Sequence, residues 1–219
     1  MPLNPLDIDI VAKINQTVTN REFVYLHDGI LPRSLFSIES DFVEKNPTLV
    51  REYEGTDMFF DPNTEIKLFT NDQGGKAGRA KWYVVNRNVI TTGTEQLDRW
   101  KVVVSSANAG GQKRSNQLAI LDNHSAFGRS RIALKTFETQ QEANNFYKYV
   151  KSELIRFAFL MTDENLTSLA KQVPDIVDYR NENGIVDFSG DVNRQLYDMF
   201  DIDEVDIQHI KSVLASKAE

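Results

Sequence analysis

The sequence contains no cysteine, and this absence removes several classes of function at once. Disulfide bonds, thiolate zinc sites and cysteine nucleophiles all depend on that side chain. Proteins without disulfides are typical of reducing compartments. We therefore expect a cytoplasmic location.

Long apolar runs are also missing. The longest covers residues 157–161, whereas a membrane helix needs roughly 20 apolar residues. The first residues do not show the basic-then-apolar pattern of a signal peptide. We expect no membrane partner. A composition of 41% hydrophobic and 26% charged residues is that of a folded chain rather than a disordered one.

Histidine is scarce, and the three histidines, His27, His124 and His209, lie far apart with no metal-ligand spacing. We expect neither a metal site nor a bound cofactor. Asp122, His124 and Ser125 include the residue types of a hydrolytic triad, but the GxSxG turn is absent. A polar loop is the simpler interpretation of this segment.

A positive charge excess is lacking overall, since the formal net charge is −7. Taken alone, that value argues against a nucleic-acid partner. Its distribution argues the opposite, because residues 71–135 contain eleven Lys and Arg against four Asp and Glu, a local balance of +7. A local basic surface attracts a polyanion. The alternative is a solvated face that forms salt bridges with the acidic flanks.

The patterning predicts an α+β fold: a β-rich central core followed by a long helix and a short helical C-terminal end. A short helix is predicted at the N-terminus, where Asn4 and Pro5 suit its first positions. Strands are predicted at TDMFF, EIKLF, KWYVV, RWKVVVS, QLAIL and RIALKTF. A helical period begins near Glu142, and two shorter helices follow. We divide the chain into residues 1–54 (helical or irregular), 55–160 (β-rich recognition core with packing helix) and 161–219 (helical appendage).

Three basic, glycine-bearing loops are the candidate binding elements. They lie in GGKAGRAK, in SSANAGGQKRSNQ and after Gly128. Arginine can pair with guanine and asparagine or glutamine with adenine, while lysine suits phosphate. Each loop taken singly is equally well an ordinary polar hairpin. Together they predict DNA-binding residues, namely Lys76, Arg79, Lys81, Lys113, Arg114, Asn116, Gln117, Arg129 and Arg131.

An alternative from another class is a metal-dependent nuclease. Glu65 and Lys67 form an acid-x-Lys element, in which a second carboxylate would help to hold Mg²⁺ and the lysine would stabilise charge. Asp41, Asp57 or Asp61 could supply that carboxylate. A tripeptide of this kind is expected about twice by chance in a chain of this composition. Trp82, Tyr83 and Trp100 could stack on bases, but their strand patterns favour packing in the core.

The elements RWKVVVSSANAGG, HSAFGRSRIALKTF, ETQQEANNFYKYVKSELIRFAFL, VPDIVDY and RQLYDMFDIDEVDIQHI occur in this order. Over residues 80–215 they resemble the C-terminal region of adenine-specific DNA methyltransferases of type II restriction-modification systems. The resemblance implies a target-recognition domain that reads double-stranded DNA, while the methyltransferase or nuclease domains of a parent protein act on it.

The catalytic elements of that family are not present. Asn4-Pro5-Leu6 and Asn46-Pro47-Thr48 stand in place of an NPPY tetrapeptide, and no glycine-rich cofactor loop opens a βαβ unit. We therefore expect no S-adenosylmethionine binding and no methyltransferase site in this chain. A sequence-specific DNA-binding module is the leading hypothesis, a Glu65–Lys67 nuclease is the alternative, and a protein-interaction domain that uses the acidic helices is a third.

Overall fold

A computed structural model describes residues 4–55, 59–106, 118–161 and 170–216. The fold is α+β, as predicted. Contacts group the described residues into two units. A helical unit contains residues 4–30 and the described part of 140–216, and a β unit contains 31–106 and 119–139. This grouping follows contacts in space, whereas the three predicted segments follow the order of the chain. None of the helices in the described ranges is both long and apolar enough to cross a membrane.

The β unit is built from seven strands and one short helix, α2 (Phe42–Lys45). The strands are β2 (Arg51–Glu52), β3 (Glu65–Asn71), β4 (Ala80–Asn86), β5 (Trp100–Ser105), β6 (Ala119–Leu121), β7 (Ser125–Phe127) and β8 (Arg131–Phe137). Five of the six predicted strands are present. Of the sixth, TDMFF, residues 56–58 lie outside the described ranges, and Phe59 and Phe60 are not in a strand.

Two sheets share the core of this unit. One has the order β2-β4-β3-β7 and the other β6-β5-β8. Residues 65–71 of β3 alternate strictly between half-buried and buried, so Ile66, Leu68 and Thr70 face inward. They pack in one cluster with Val103 of β5 and Ala133 of β8. Two short strands, β2 and β7, were not predicted because two or three residues carry too little periodic signal.

The helical unit begins with α1 (Pro5–Asn20), whose start is as predicted. The Asn4 side chain accepts a hydrogen bond from the Leu6 N–H at 3.0 Å, and Pro5 occupies the first helical position. Ile10 and Ile14 are buried. Strand β1 (Val24–Tyr25) pairs with β9 (Pro174–Asp175) in an antiparallel ladder. Sequence periodicity did not predict this short pair.

The predicted long helix is present as two consecutive helices, α3 (Gln140–Lys151) and α4 (Glu153–Leu160). Ser152 separates them because its backbone is extended. Its hydroxyl donates to the Tyr149 carbonyl at 2.6 Å, and the Glu153 N–H donates to Asn193 Oδ1 at 2.8 Å. The predicted apolar stripe, which includes Phe146, Val150, Leu154 and Phe157, is buried. The apolar stripe continues across the break, and for this reason the hydrophobic periodicity does not predict the break.

The C-terminal helices are α5 (Val192–Met199) and α6 (Glu204–Ser216), both at predicted positions. The Asp191 carboxylate accepts from the Arg194 N–H and thereby caps α5. Lys13 of α1 lies between Asp203 and Asp206, at 3.1 and 2.5 Å. This ion pair joins the first and the last helices of the unit.

Candidate nucleic-acid interface

The predicted basic loops emerge at one end of the β unit. Strands β3 and β4 form an antiparallel pair in which Asn71 stands opposite Ala80. Strand β7 runs parallel to β3, so both finish on the same side. Strand β5 finishes at Ser105, which is opposite Arg131 at the start of β8. We call the end at which β3, β5 and β7 finish the loop end, and the other the opposite end.

Main-chain hydrogen bonds hold the elements of the loop end together. The Gly128 N–H donates to the Phe69 carbonyl at 3.1 Å, and the Ser106 N–H donates to the Ser130 carbonyl at 2.9 Å. The turn that joins β7 to β8 and carries Arg129 is therefore bound to β3 near its end and to the residue that follows β5. A Cβ atom on Gly128 would overlap the Thr70 hydroxyl, so only glycine fits this close approach.

The β3–β4 hairpin carries Lys76 and Arg79. The Arg79 guanidinium donates to the carbonyls of Lys76, Ala77 and Gly78 at 3.3, 2.9 and 3.1 Å, and the Arg79 N–H donates to Asp72 Oδ1 at 2.8 Å. Arg79 thus closes its own loop, a structural role that sequence analysis did not assign. Lys76 is exposed, and no ion pair to its side chain is found among the described residues.

Acidic residues from an earlier part of the chain offset the local positive balance. Arg129 Nε lies 2.9 Å from Glu39 Oε1. Lys81 Nζ lies 3.6 Å from Glu52 Oε1 and 3.7 Å from Asp72 Oδ2. Glu52 reaches this position because β2 pairs with β4. The balance of +7 counted along residues 71–135 therefore overstates the charge of the surface, since that count leaves out residues 39–52.

The backbone N–H groups of the glycine loop are also partly engaged. The Gly74 N–H, one of the groups that an anion could approach, donates to Glu44 Oε2 at 3.2 Å. Gly75 has a φ of 75°, a left-handed conformation that glycine adopts without strain. Here the glycines shape a tight hairpin, and Lys76 is an exposed cation at its tip.

Arg131 has a different environment from the other cations of the loop end. Its guanidinium carbon lies 4.8 Å from the centre of the Phe69 ring, and that ring stacks on Trp82 with 4.9 Å between centroids. Burial without a counter-charge lowers the pKa of Arg131. Trp82 is half-buried, whereas Tyr83 is buried as predicted.

The second predicted loop falls outside the described residues. Its candidates Lys113, Arg114, Asn116 and Gln117 belong to residues 107–117. Strand β5 finishes and β6 begins at the loop end, since Val103 is opposite Ala119. The described strands that flank this segment therefore meet at the same end as the two other loops.

Glu65 and Lys67 of the nuclease alternative lie toward the opposite end, whereas the candidate carboxylate Asp41 lies near Gly74 at the loop end and pairs with Lys45 at 2.7 Å. Glu65 and Lys67 point to the same face of β3. Glu65 accepts from Arg51 at 2.6 Å and from the Asp61 N–H at 3.0 Å, and these contacts lower its pKa. Lys67 forms an ion pair with Asp122. Asp57 lies outside the described residues, and no group of three or more potential metal ligands occurs within the described ranges.

The segment that contains Asp122, His124 and Ser125 forms a polar turn. Asp122 Oδ1 accepts from the Ser125 hydroxyl at 2.5 Å and from the His124 N–H at 3.0 Å. Ser125 is fully buried, so its hydroxyl holds the turn and has no access to a substrate. Ser125 is not hydrogen-bonded to His124 in the way a nucleophile pairs with its base.

Neither a comparison with models of protein families nor one with curated proteins finds a match for this chain. The resemblance of residues 80–215 to methyltransferase C-terminal regions therefore stays a prediction.

Proposed function

We propose that this chain is a sequence-specific double-stranded DNA-binding module, the target-recognition part of a bacterial restriction-modification enzyme. In this proposal it acts in the cytoplasm together with methyltransferase or nuclease domains of a parent protein and has no methyltransferase site of its own. The supporting observation is that β3, β5 and β7 all finish at the loop end. Lys76 and Arg131 then share one end of the β unit.

The exposure and the ion pairs of each cation indicate which part of the DNA it contacts in this proposal. Lys76 is exposed on a hairpin tip and suits contact with a phosphate group, because phosphate contacts position a protein on a duplex without reading its sequence. Lys81 and Arg129 have carboxylate partners and contribute less net charge. Base reading is assigned to residues 107–117, above all to Arg114, since that segment combines arginine with asparagine and glutamine.

Duplex binding tests the proposal. A preferred sequence is first selected from a random duplex pool, and fluorescence anisotropy then compares that duplex with a scrambled one over a salt series. With three to five phosphate contacts, log K should fall against log salt with a slope of about −3 to −5. Lys76→Ala should weaken both duplexes alike. Arg114→Ala should reduce the preference at one base pair by about 1–3 kcal/mol. The proposal is wrong if the unaltered protein binds no duplex at low salt.

The nuclease alternative is tested with the same preparation of the protein. Plasmid DNA incubated with Mg²⁺ or Mn²⁺ should stay intact, because the Glu65 carboxylate and the Lys67 ammonium are both held by partners within the fold. Metal-dependent cutting that disappears in Glu65→Ala would replace the DNA-binding proposal with the nuclease. Stable binding to a co-encoded protein, together with no affinity for duplex, would favour the protein-interaction domain.

A further inference from the structure

The surroundings of Arg131 are unusual for a half-buried charge. The guanidinium carbon lies 4.8 Å from the centre of the Phe69 ring. Phe69 in turn stacks on Trp82, which is directly opposite it on β4, and the two rings are 28° from parallel. Arg131 Nη1 donates to the Ser130 carbonyl at 2.8 Å. Arg131 Nε is buried and has no hydrogen-bond acceptor. Across the described ranges, no carboxylate forms an ion pair with Arg131.

A charge in this position calls for a partner. Arginine carries five N–H donors and keeps its proton at all physiological pH values, so it cannot escape burial by becoming neutral. Buried charges in folded proteins are ordinarily paired with an opposite charge. The interaction with the Phe69 ring compensates for part of the lost hydration but supplies no acceptor.

A neighbouring residue repeats this pattern. The Ser130 hydroxyl, which directly precedes Arg131 in the chain, is buried without a hydrogen-bond partner among the described residues. Buried polar atoms without partners are few in folded proteins, and each calls for a water, an ion or a functional role. The Thr70 hydroxyl is also unpartnered within these residues, but it faces the core on the side of β3 opposite to Phe69 and packs against Gly128. Arg131 and Ser130 are therefore the two adjacent residues whose polar atoms a ligand at this end would satisfy.

We propose that Arg131, held on the Phe69–Trp82 stack, forms an anion subsite that binds one phosphodiester group of duplex DNA. This inference rests on the proposed DNA-binding function and assigns a role within it. The planar fork of a guanidinium matches two phosphate oxygens, and the contact with the Phe69 ring helps to hold the group at the loop end. Arg131 opens a strand at the base of the loops rather than at a tip, so it meets the duplex backbone instead of reaching a base edge.

Duplex binding by Arg131→Gln is the first test, with Arg87→Gln as the matched control. Arg87 lies at the opposite end and forms an ion pair with Asp98 at 2.8 Å. Arg131→Gln should weaken the selected and the scrambled duplex by the same factor, about tenfold, and should flatten the salt slope by about 0.9. Arg87→Gln should change neither quantity. Wild-type affinity in Arg131→Gln would overturn the inference, and so would a loss confined to the selected duplex.

Thermal unfolding in dilute sodium sulfate is the second test and needs no DNA. Sulfate stands in for a phosphodiester, and ionic strength is matched with chloride. Sulfate should raise the melting temperature of the unaltered protein more than that of Arg131→Gln, and the difference between the two removes the general effect of sulfate on folded proteins. Equal shifts in the two proteins would overturn the subsite.

The two tests separate failure of the inference from failure of the proposed function. If the sulfate effect depends on Arg131 but the protein binds no duplex, Arg131 forms an anion subsite whose ligand is not DNA. If the protein binds duplex DNA and Arg131→Gln does not change that binding, the proposed function stands and the subsite at Arg131 is wrong. The urea midpoint of Arg131→Gln should not fall, because the substitution removes an unpaired half-buried charge. A clear fall would show that Arg131 is already compensated within the fold.

Discussion

The two ends of the β unit carry cations of the same kinds but neutralise them differently. Toward the opposite end three cations of the surface have carboxylate partners, since Arg51 pairs with Glu65, Lys67 with Asp122 and Arg87 with Asp98. At the loop end Lys81 and Arg129 also have partners, but Lys76 and Arg131 form no ion pair with any described residue. Cations that already have partners stabilise the fold, whereas unpartnered cations on one surface are available for an anionic ligand.

A second contrast concerns Lys101 and Arg131, which are buried and half-buried, respectively, without a carboxylate partner among the described residues. Lys101, at the start of β5, donates to the carbonyls of Leu97 and Arg99 at 3.0 and 2.6 Å. Burial lowers the pKa of Lys101 to about 7, so this lysine loses its charge in mildly basic solution. Arg131 has no such route because arginine keeps its proton. Desolvation therefore makes Lys101 at the opposite end a residue that titrates near neutral pH, whereas Arg131 at the loop end keeps its charge.

The largest expected effect comes from breaking a pair toward the opposite end. Asp122→Ala leaves Lys67 without its partner in a largely buried site, where removal of one member of an ion pair is costly. We expect a loss of about 3 kcal/mol in the free energy of unfolding, the low end for buried pairs because both side chains retain some exposure. Urea denaturation measures it, and Lys67→Met together with Asp122→Ala should recover part of the loss. A change below about 1 kcal/mol would mean that this pair is as weak as an exposed one.

The next effect is the pH dependence caused by Lys101. Its pKa is about 7 in the folded protein and 10.5 is its ordinary value, so the unfolded chain binds more protons between these limits and stability rises with pH across that window. We expect a gain of about 2 kcal/mol between pH 7 and pH 9, below the range in which tyrosines titrate. Urea denaturation at several pH values tests this. Lys101→Met should remove the gain and should be more stable than the unaltered protein at pH 7. An equal pH dependence in both proteins would assign the effect to another group.

A smaller loss of stability is expected at the loop end from Gly128→Ala. The added methyl group would overlap the Thr70 side chain, and overpacking of this kind costs about 1–3 kcal/mol. Duplex affinity should fall as well, because the displaced turn carries Arg129 and Arg131. Thr70→Ala in the same protein should restore part of the stability in urea denaturation. Unchanged stability in Gly128→Ala would show that the turn moves away freely.

Much of the fold follows from sequence periodicity. The start of α1, five strands and the positions of α3 to α6 were predicted because each has a hydrophobic period or a capping residue long enough to detect. The break at Ser152 was missed because the apolar stripe continues through it, and β2 and β7 were missed because they are so short. The pairing of β1 with β9 joins segments far apart in the chain, and periodicity carries no information about such pairs.

The candidate site was less accessible from the sequence. The loops could be chosen by composition, but which cations have partners depends on contacts across the fold. Glu39 and Glu52 lie outside the basic segment, yet they pair with Arg129 and Lys81. Arg79 was chosen as a ligand contact by composition, and its guanidinium also donates to carbonyls of its own loop, a contact that composition does not predict. One signal was available, because Phe69 and Trp82 lie in neighbouring predicted strands. The sequence does not give the register of these strands, so the stacking of Trp82 on Phe69 and the contact of Phe69 with Arg131 are known only from the structure.

The smallest expected effect compares two lysines of the same hairpin. Lys76 has no ion-pair partner in the described part of the chain, whereas Lys81 lies within 4 Å of both Glu52 and Asp72, which raises the pKa of Lys81. In anisotropy titrations over a salt series, Lys76→Ala should flatten the slope of log K against log salt by about 0.9, the value for one lost phosphate contact. Lys81→Ala should flatten the slope by less, because that lysine must first leave two carboxylates. Equal effects of the two substitutions would show that the ion pairs at the loop end do not decide which cations meet the DNA. A larger effect of Lys81→Ala would indicate that the duplex binds near β2 and β4 rather than at the hairpin tip.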